Sequence, residues 1–527
     1  MAVRLLVPVV LAALVLVGSG VPVIAADSPT IGWQTLTGGF AYDEGRSIHQ
    51  TSDGGYIMLG RSKSSESGDV TGVNHGLGNY DLWLVRMDAG GAIRWQRLLG
   101  GTGNDQGESV WPTADGGYIL LGTSDSYPSG NVTAMKQGGT DLWLVKLDSH
   151  GLIQWQRMIG GTKDEFGTGV RQTADGGYVV LGYSDSFKSG NVTVETHGGW
   201  DVWVLKCDPL GEIQWQSMLG GSANDKGNEI EATDDGGFVL VGTSRSSASG
   251  NVKGVNHGRE DPWAVKLSSG GTIQWESLLG GSDQEFGDSV RQCGEGYLFL
   301  GESYSSGSGD VTGTNHGSFD LWVVNLDDDG SLVRQELLGS GGADVGCQLD
   351  RTSDGGSVLL GTSMSSGGGN VTGPNHGMID LWVVRLDPGG RVRWDRLLGG
   401  NKTEEGYNGA SIRQTSDGGY VLVGNTESSA NGDVAGANHG GWDVWVVKLA
   451  GESPVVAVPG ASNLARDLDG DGKYEDVNGN GRKDFADVTL YFTQMTWIGA
   501  NEPLAAFDYN GNGRIDFADV TWIFNHL

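Results

Sequence analysis

Asp476, Asn478, Asn480, Asp484 and Asp487 stand at positions 1, 3, 5, 9 and 12 of one short stretch, with Gly481 at position 6 and Arg482 at position 7. Asp508, Asn510, Asn512, Asp516 and Asp519 repeat the pattern 32 residues later, around Gly513 and Arg514. Side chains at alternate positions of a tight loop turn their oxygens inward, the seventh residue adds its carbonyl, and glycine permits the sharp turn. Such a donor set suits Ca2+, which takes roughly six to eight oxygen ligands. A further acidic run, Asp467, Asp469, Asp471 and Glu475, precedes the first loop. It reads either as a third, overlapping site or as a solvated acidic turn.

The loops need elements to hold them. Each runs into an apolar segment, 488–495 and 520–527, expected to be the single helix that follows its loop. A duplicated loop and helix with Asp at position 12 resembles the type I dockerin module, in the form found on archaeal secreted proteins, over residues 466–527. The resemblance implies a small α-helical calcium-binding domain and a cohesin-like or other protein partner. The residues before the last ligand are Phe485-Ala486 and Phe517-Ala518, where many cellulosomal dockerins carry small hydroxyl residues. These pairs are expected to form an apolar partner surface, offered in two equivalent orientations.

Repetition organises the rest. Asp-x-Trp opens at Asp81, Asp141, Asp201, Asp261, Asp320, Asp380 and Asp443, at spacings of 60, 60, 60, 59, 60 and 63 residues. A fixed period marks an array of like units. Each unit holds four apolar runs bounded by Gly, Asp and Ser, which read as strands a, b, c and d. In the second unit they span 108–113, 117–123, 141–148 and 153–159. Asp-Gly-Gly joins a to b, where a two-residue hairpin forces positive φ. Four antiparallel strands in about seven units fit an all-β, seven-bladed β-propeller. The chain opens on a d run at Ile31 and leaves after a c run at Leu449, so the N-terminal strand is expected to complete the last blade.

These runs are similar to secreted propeller repeats with an Asp-Gly-Gly-Tyr turn and an Asp-x-Trp-x-Val-Lys-Leu-Asp strand. The sixth repeat departs from the pattern, with Arg334 at a strand-d Trp position and Ser357 at the turn Tyr position. The expected division is a signal peptide at 1–26, the propeller at 27–449, a linker at 450–465 and the dockerin-like domain at 466–527.

Composition narrows the partners. Lys plus Arg is 34 against 65 Asp plus Glu, a net charge of -31, and such a field argues against nucleic acid. A basic start, an apolar run over 5–17 and small residues up to Ala26 have the layout of a secretory signal. The mature chain is expected to be secreted, extracellular or at the cell surface, with no transmembrane segment after cleavage. The three cysteines occupy non-equivalent repeat positions, so no disulfide framework is expected.

Long connections carry function more often than hairpins do, which points to the face bearing the b–c and d–a loops. Ligand candidates there are Trp200 and Trp442, which precede strand c in two repeats, and the d–a acids Asp105, Glu165, Asp225 and Glu285. His75, His197, His257, His316, His376 and His439 recur in the b–c loops, each expected to orient its own blade through backbone or the following Asp. No catalytic motif is found, and no catalytic residue is assigned. The reading is an exported calcium-binding propeller that acts as a binding or scaffold module, possessing a docking tail and a face suited to glycan. The alternatives are a polysaccharide-active enzyme of glycoside hydrolase type with a docking tail, or a structural envelope component.

Overall fold

The computed structural model describes residues 28–294, 296–406, 409–451, 458–461, 465, 468, 473–501 and 504–527. The expected signal segment and the acids Asp467, Asp469 and Asp471 lie outside the described residues.

The repeats fold as seven antiparallel sheets. One blade consists of Glu165–Gln172, Tyr178–Ser184, Asp201–Cys207 and Ile213–Leu219, hydrogen-bonded in that order as strands a, b, c and d. The a strands of neighbouring blades lie side by side around the axis, so a is innermost and d outermost. Strand c is buried throughout, whereas d is mostly half-buried, with one exposed residue and two buried ones at its end. The last blade takes Tyr420–Thr426 and Asp443–Leu449 as b and c and receives Ile31–Thr37 as its d strand. Leu36 faces Trp445 and Thr37 faces Val444, which shuts the ring as expected.

Each core cluster lies between two blades. Leu121, Leu142 and Leu144 of one sheet pack on Val170, Val180 and Trp203 of the next. Strand-c tryptophans such as Trp143 and Trp203 are fully buried, each worth about 2–3 kcal/mol of transfer free energy. Their indole N–H groups are satisfied on strand d: Trp83 donates to Gln96 Oε1 at 2.9 Å, and Trp445 donates to Gln34 Oε1 at 2.9 Å across the closure.

The two halves of the repeat motif meet in space. The turn carboxylate of Asp115 receives the Thr113 hydroxyl and the Gly117 N–H, and its other side pairs with Lys146 of strand c at 2.9 Å. Gly116, in the same turn, has φ +80°, open to glycine at little cost. The fifth blade lacks the turn Asp, and Asn325 replaces the lysine there, so neither charge is left alone. The other irregularity is also a pair. Strand-d tryptophans meet the strand-b aromatics of the next blade edge-on, as Trp95 does Tyr118 at 6.1 Å and Trp155 does Tyr178 at 5.8 Å. Arg334 and Ser357 occupy the two sides of one such contact, and Arg334 donates instead to the Gly389 and Gly390 carbonyls.

Removing residues 28–37 strips strand c of the last blade of its outer neighbour. The propeller should lose at least about 3 kcal/mol of stability, seen as a lower melting midpoint by circular dichroism. Re-attaching the strand after Leu449 through a short turn should restore the midpoint. Failure to restore it would show that the loss has a cause other than ring closure.

Candidate functional site

The tail consists of α1 (Phe485–Asn501), α2 (Leu504–Phe507) and α3 (Phe517–Asn525). Val477, Val488, Tyr491, Phe507, Val520 and Ile523 form its core, joined by Val458 and Ala465 from the stretch read as linker. Both long helices begin three residues before the apolar runs, because the last loop carboxylates cap them. Asp516 accepts from the Ala518 N–H at 2.8 Å while Asp519 accepts from the Asp516 N–H at 2.9 Å, a reciprocal capping box. Asp484 and Asp487 do the same for α1.

The loops superimpose in their bonding. Asp476 accepts from the Asn480 and Gly481 N–H groups at 2.9 and 2.6 Å, Asn480 Oδ1 accepts from Arg482, and Asp487 accepts from Asn478 at 2.9 Å. Asp508 accepts from Asn512 and Gly513, Asn512 Oδ1 from Arg514, and Asp519 from Asn510. Gly481 and Gly513 have φ of +82° and +79°, which a Cβ would resist. Asp476, Asp487 and Asp519 are fully buried. Burial pushes Asp487 above the ordinary carboxylate range, and the negative charges of Asp476 and Asp484 add to this against two backbone hydrogen bonds. A crowded set of oxygen donors fits a hard divalent cation. Among the described residues no three His, Cys, Asp or Glu side chains form a ready metal cluster, so asparagine and backbone oxygens have to complete the donor set. Glu475 is buried beside the first loop.

On the propeller, Asp105, Glu165, Asp225 and Glu285 correct the sequence reading. They are not loop residues on an open face: each opens an innermost strand, three residues earlier than read, and is fully buried. Asp105 accepts from the Gly101 N–H at 2.7 Å, the Ser126 hydroxyl at 2.8 Å and the Ser124 hydroxyl. These bonds bind the d–a loop, strand b and the b–c loop into one unit. The Asp that opens strand c faces the same junction, with its second oxygen unpartnered among the described residues in all seven blades. Burial, together with the charge of the next blade's acid, raises Asp141, Asp201 and Asp261 to about 6.

The histidines serve their own blades, as read. His75, His316, His376 and His439 place Nδ1 at 2.8, 2.6, 2.7 and 2.9 Å from the following Asp. Trp200 is half-buried and sits with Phe166 and Tyr183 at ring separations of 5.5 and 5.4 Å. Trp442 is half-buried too, and its carbonyl accepts from the Asp43 N–H at 2.8 Å.

Sequence reasoning missed the central channel. There Glu229 lies between Arg171 at 2.6 Å and Arg291 at 2.8 Å, and Gln348 holds Arg413 at 2.5 Å. His49, surrounded by these guanidinium groups, is held neutral by burial and by their charge. The signal was present: beside a sixth strand-a position that is always Ile, Val or Leu, the seventh is His49, Trp111, Arg171, Glu231, Arg291, Asp350 and Arg413, charged or aromatic in every repeat.

Fold and loops together define a seven-bladed β-propeller that carries a paired calcium-type loop module. Residues 474–527 match the dockerin type I domain, so the C-terminal module is a dockerin. Type I dockerins bind calcium in general, typically pair with cohesins, and typically occur in extracellular or cell-surface proteins. Over 411 residues the chain is 25% identical to regulatory protein FlaEY of Caulobacter vibrioides, covering 70% of this chain and 41% of that relative. The chain thus spans less than half the length of that protein. Similar solved structures include a protein of unknown function from Bacteroides caccae, with TM-score 0.34, 13% identity and coverage of 70% and 94% of the two chains. Another is BBS1N in complex with ARL6DN, with TM-score 0.42, 9% identity and coverage of 80% and 97%. The propeller assignment rests on strand pairing and not on these likenesses.

The junction acids give a pH prediction. Their folded values lie above the unfolded 3.8, so the stability they contribute is full below 3.8 and lost as pH rises through about 6. Asp115 works in the opposite sense: against partial burial, Thr113 and Lys146 hold it down to about 2, so its contribution is lost as pH falls from 3.8 through 2. That carboxylate is more than half exposed, and solvent screens it. The propeller's melting midpoint should therefore peak near pH 4, fall as pH rises from about 4 to about 6, and level off above that. Asp141→Asn, Asp201→Asn and Asp261→Asn together should flatten the alkaline limb; an unchanged limb would refute the junction as its source.

Proposed function

We propose that this is an exported binding or scaffold protein whose calcium-braced dockerin docks it to a partner while the propeller presents a ligand face. The observation that carries the reading is a set of exposed aromatic rings related by the 32-residue duplication of the tail. Phe485 rests on Phe524 at 6.3 Å, and Phe517 rests on Phe492 at 5.9 Å. All four remain more than half exposed, at 63, 54, 62 and 53%. Aromatic surface left in water at two equivalent places marks an interaction site, and the small Ala486 and Ala518 leave the rings accessible. The partner is cohesin-like with apolar recesses, and the duplication offers it two orientations.

Asp476, Asn478, Asn480, Asp484, Asp487 and the Arg482 carbonyl would hold one calcium ion; Asp508, Asn510, Asn512, Asp516, Asp519 and the Arg514 carbonyl would hold another. The ion's part is to neutralise the crowded acids and fix the helix starts from which Phe485 and Phe517 project. A signal peptide at 1–26, the propeller at 27–449 and a connection over 450–465, whose Val458 and Ala465 pack into the tail's core, complete the arrangement. Glycan remains the ligand class of the open face, with Trp200 and Trp442 at its rim. A glycoside hydrolase would need two carboxyls across a cleft, and the d–a acids are spent inside the junctions.

Two measurements test this. Chelating calcium from the full chain should melt the tail helices, seen as lost ellipticity, and leave the propeller transition in place. Asp487→Ala with Asp519→Ala should reproduce that loss at any calcium level; a tail that stays helical under both treatments would exclude the metal role. Against immobilised cohesin modules, Phe485→Ser or Phe517→Ser alone should weaken binding only a few-fold, and the double variant by about a hundredfold or more. Equal binding by the double variant would place the docking surface elsewhere.

A further inference from the structure

The seven blades serve as an internal comparison. Along the innermost strand the first residue is acidic, the third is glycine and the sixth is Ile, Val or Leu, because these make the junction and the core. The fourth residue is different in each of six blades: Arg46, Glu108, Thr168, Asn228, Asp288 and Cys347. All six line one cavity of about 560 Å3 in the channel. A position that the junction and the core leave free, and that faces the channel in each of these blades, is open to the demands of a ligand.

The cavity has a floor. Arg171 and Arg413 belong both to it and to a second cavity of about 360 Å3 nearer the hairpin turns, and the Arg171–Glu229–Arg291 network lies at the boundary between them. The wide cavity therefore faces the side where the long loops lie. Of its other charges, Arg46 and Glu108 pair with each other at 3.6 Å, which leaves Lys226 and Asp288. Lys226 is exposed, lies over the Tyr183 ring at 5.2 Å and makes no ion pair among the described residues. Asp288 lines the same space, and Glu302 stands against it from strand b. Glu302 is only 5% exposed, and apart from the bond the two acids share, its Oε2 and the Asp288 Oδ2 have no hydrogen-bond partner among the described residues. Burial, then the like charge of Glu302, holds Asp288 well above the ordinary range.

We propose that the wide end of the channel binds a small zwitterion of the amino-acid or dipeptide class, its ammonium at Asp288 and Glu302 and its carboxylate toward Lys226. An ammonium supplies the charge that lets two adjoining buried acids ionise, and several N–H donors for their free oxygens. A neutral sugar would leave both the acid pair and the lysine uncompensated. A divalent cation would meet the acid pair but leave the lysine without a counter-charge. The site is independent of docking through the tail.

The test uses the full chain in calcium and isothermal titration with alanyl-alanine, its N-acetyl form and its C-terminal amide. Alanyl-alanine should bind saturably at millimolar or lower concentration, and each blocked form about tenfold or more weakly. Glu302→Gln should weaken the dipeptide by a similar factor. Lys226→Met should abolish the preference for dipeptide over amide, and since that side chain is exposed it carries the test should Glu302→Gln fold poorly. No saturable binding of the dipeptide, or equal binding of its N-acetyl form, overturns the proposal.

Discussion

The propeller depends on a carboxylate buried at the start of every innermost strand. An ionised acid without water needs several donors to be tolerated, and the chain supplies them from three directions. Asp105 takes the Gly101 N–H, the Ser124 hydroxyl and the Ser126 hydroxyl, which belong to the d–a loop, strand b and the b–c loop. The long loops are thereby fixed from inside. The same carboxylate faces the Asp that opens strand c of the preceding blade, and that acid fastens its own histidine. A blade junction is thus an electrostatic as well as an apolar contact, and its cost in like-charge crowding is offset by packing of the buried tryptophans.

Motif residues that look independent in sequence prove to be two ends of one contact. The Asp of the Asp-Gly-Gly turn holds the lysine of strand c, as Asp235 holds Lys266 at 2.8 Å. The fifth blade loses both together. Arg334 and Ser357 replace the Trp and Tyr of one inter-blade ring contact, 23 residues apart in the chain but facing each other across a junction. Paired exceptions show that the contact is the unit: a buried lysine without its acid, or an indole edge without its ring, costs more than losing both.

Blade number, strand order, ring closure and the tail loops were legible because each follows from local rules repeated many times: period, turn glycines, alternating oxygens. The start of the innermost strand was not. Asp105 looks like loop chemistry beside Gly101, and only the fold turns it inward onto Ser124 and Ser126. Trp200 was read as a ligand contact because it precedes strand c in only two repeats, yet Phe166 and Tyr183, met through the sheet, half-cover it. The channel belt was invisible for a different reason. Arg171, Glu229 and Arg291 lie about a repeat apart and meet only when successive blades stack around the axis.

Repetition therefore divides the work between positions. Where the chain repeats itself, a residue answers to its neighbours in the junction, and function has little freedom there. The acids first read as ligand candidates recur as Asp or Glu at the start of every innermost strand, which is what removes them from candidacy. Freedom exists only where a side chain leaves the junction, at the channel-facing positions and at the loop tips. The dockerin obeys the opposite logic. Its duplication keeps Phe485 with Phe517 and Phe492 with Phe524 although no core requires it, since all four face solvent. Symmetry preserved inside a core follows from packing, but symmetry preserved on an exposed surface has to be accounted for by what that surface meets.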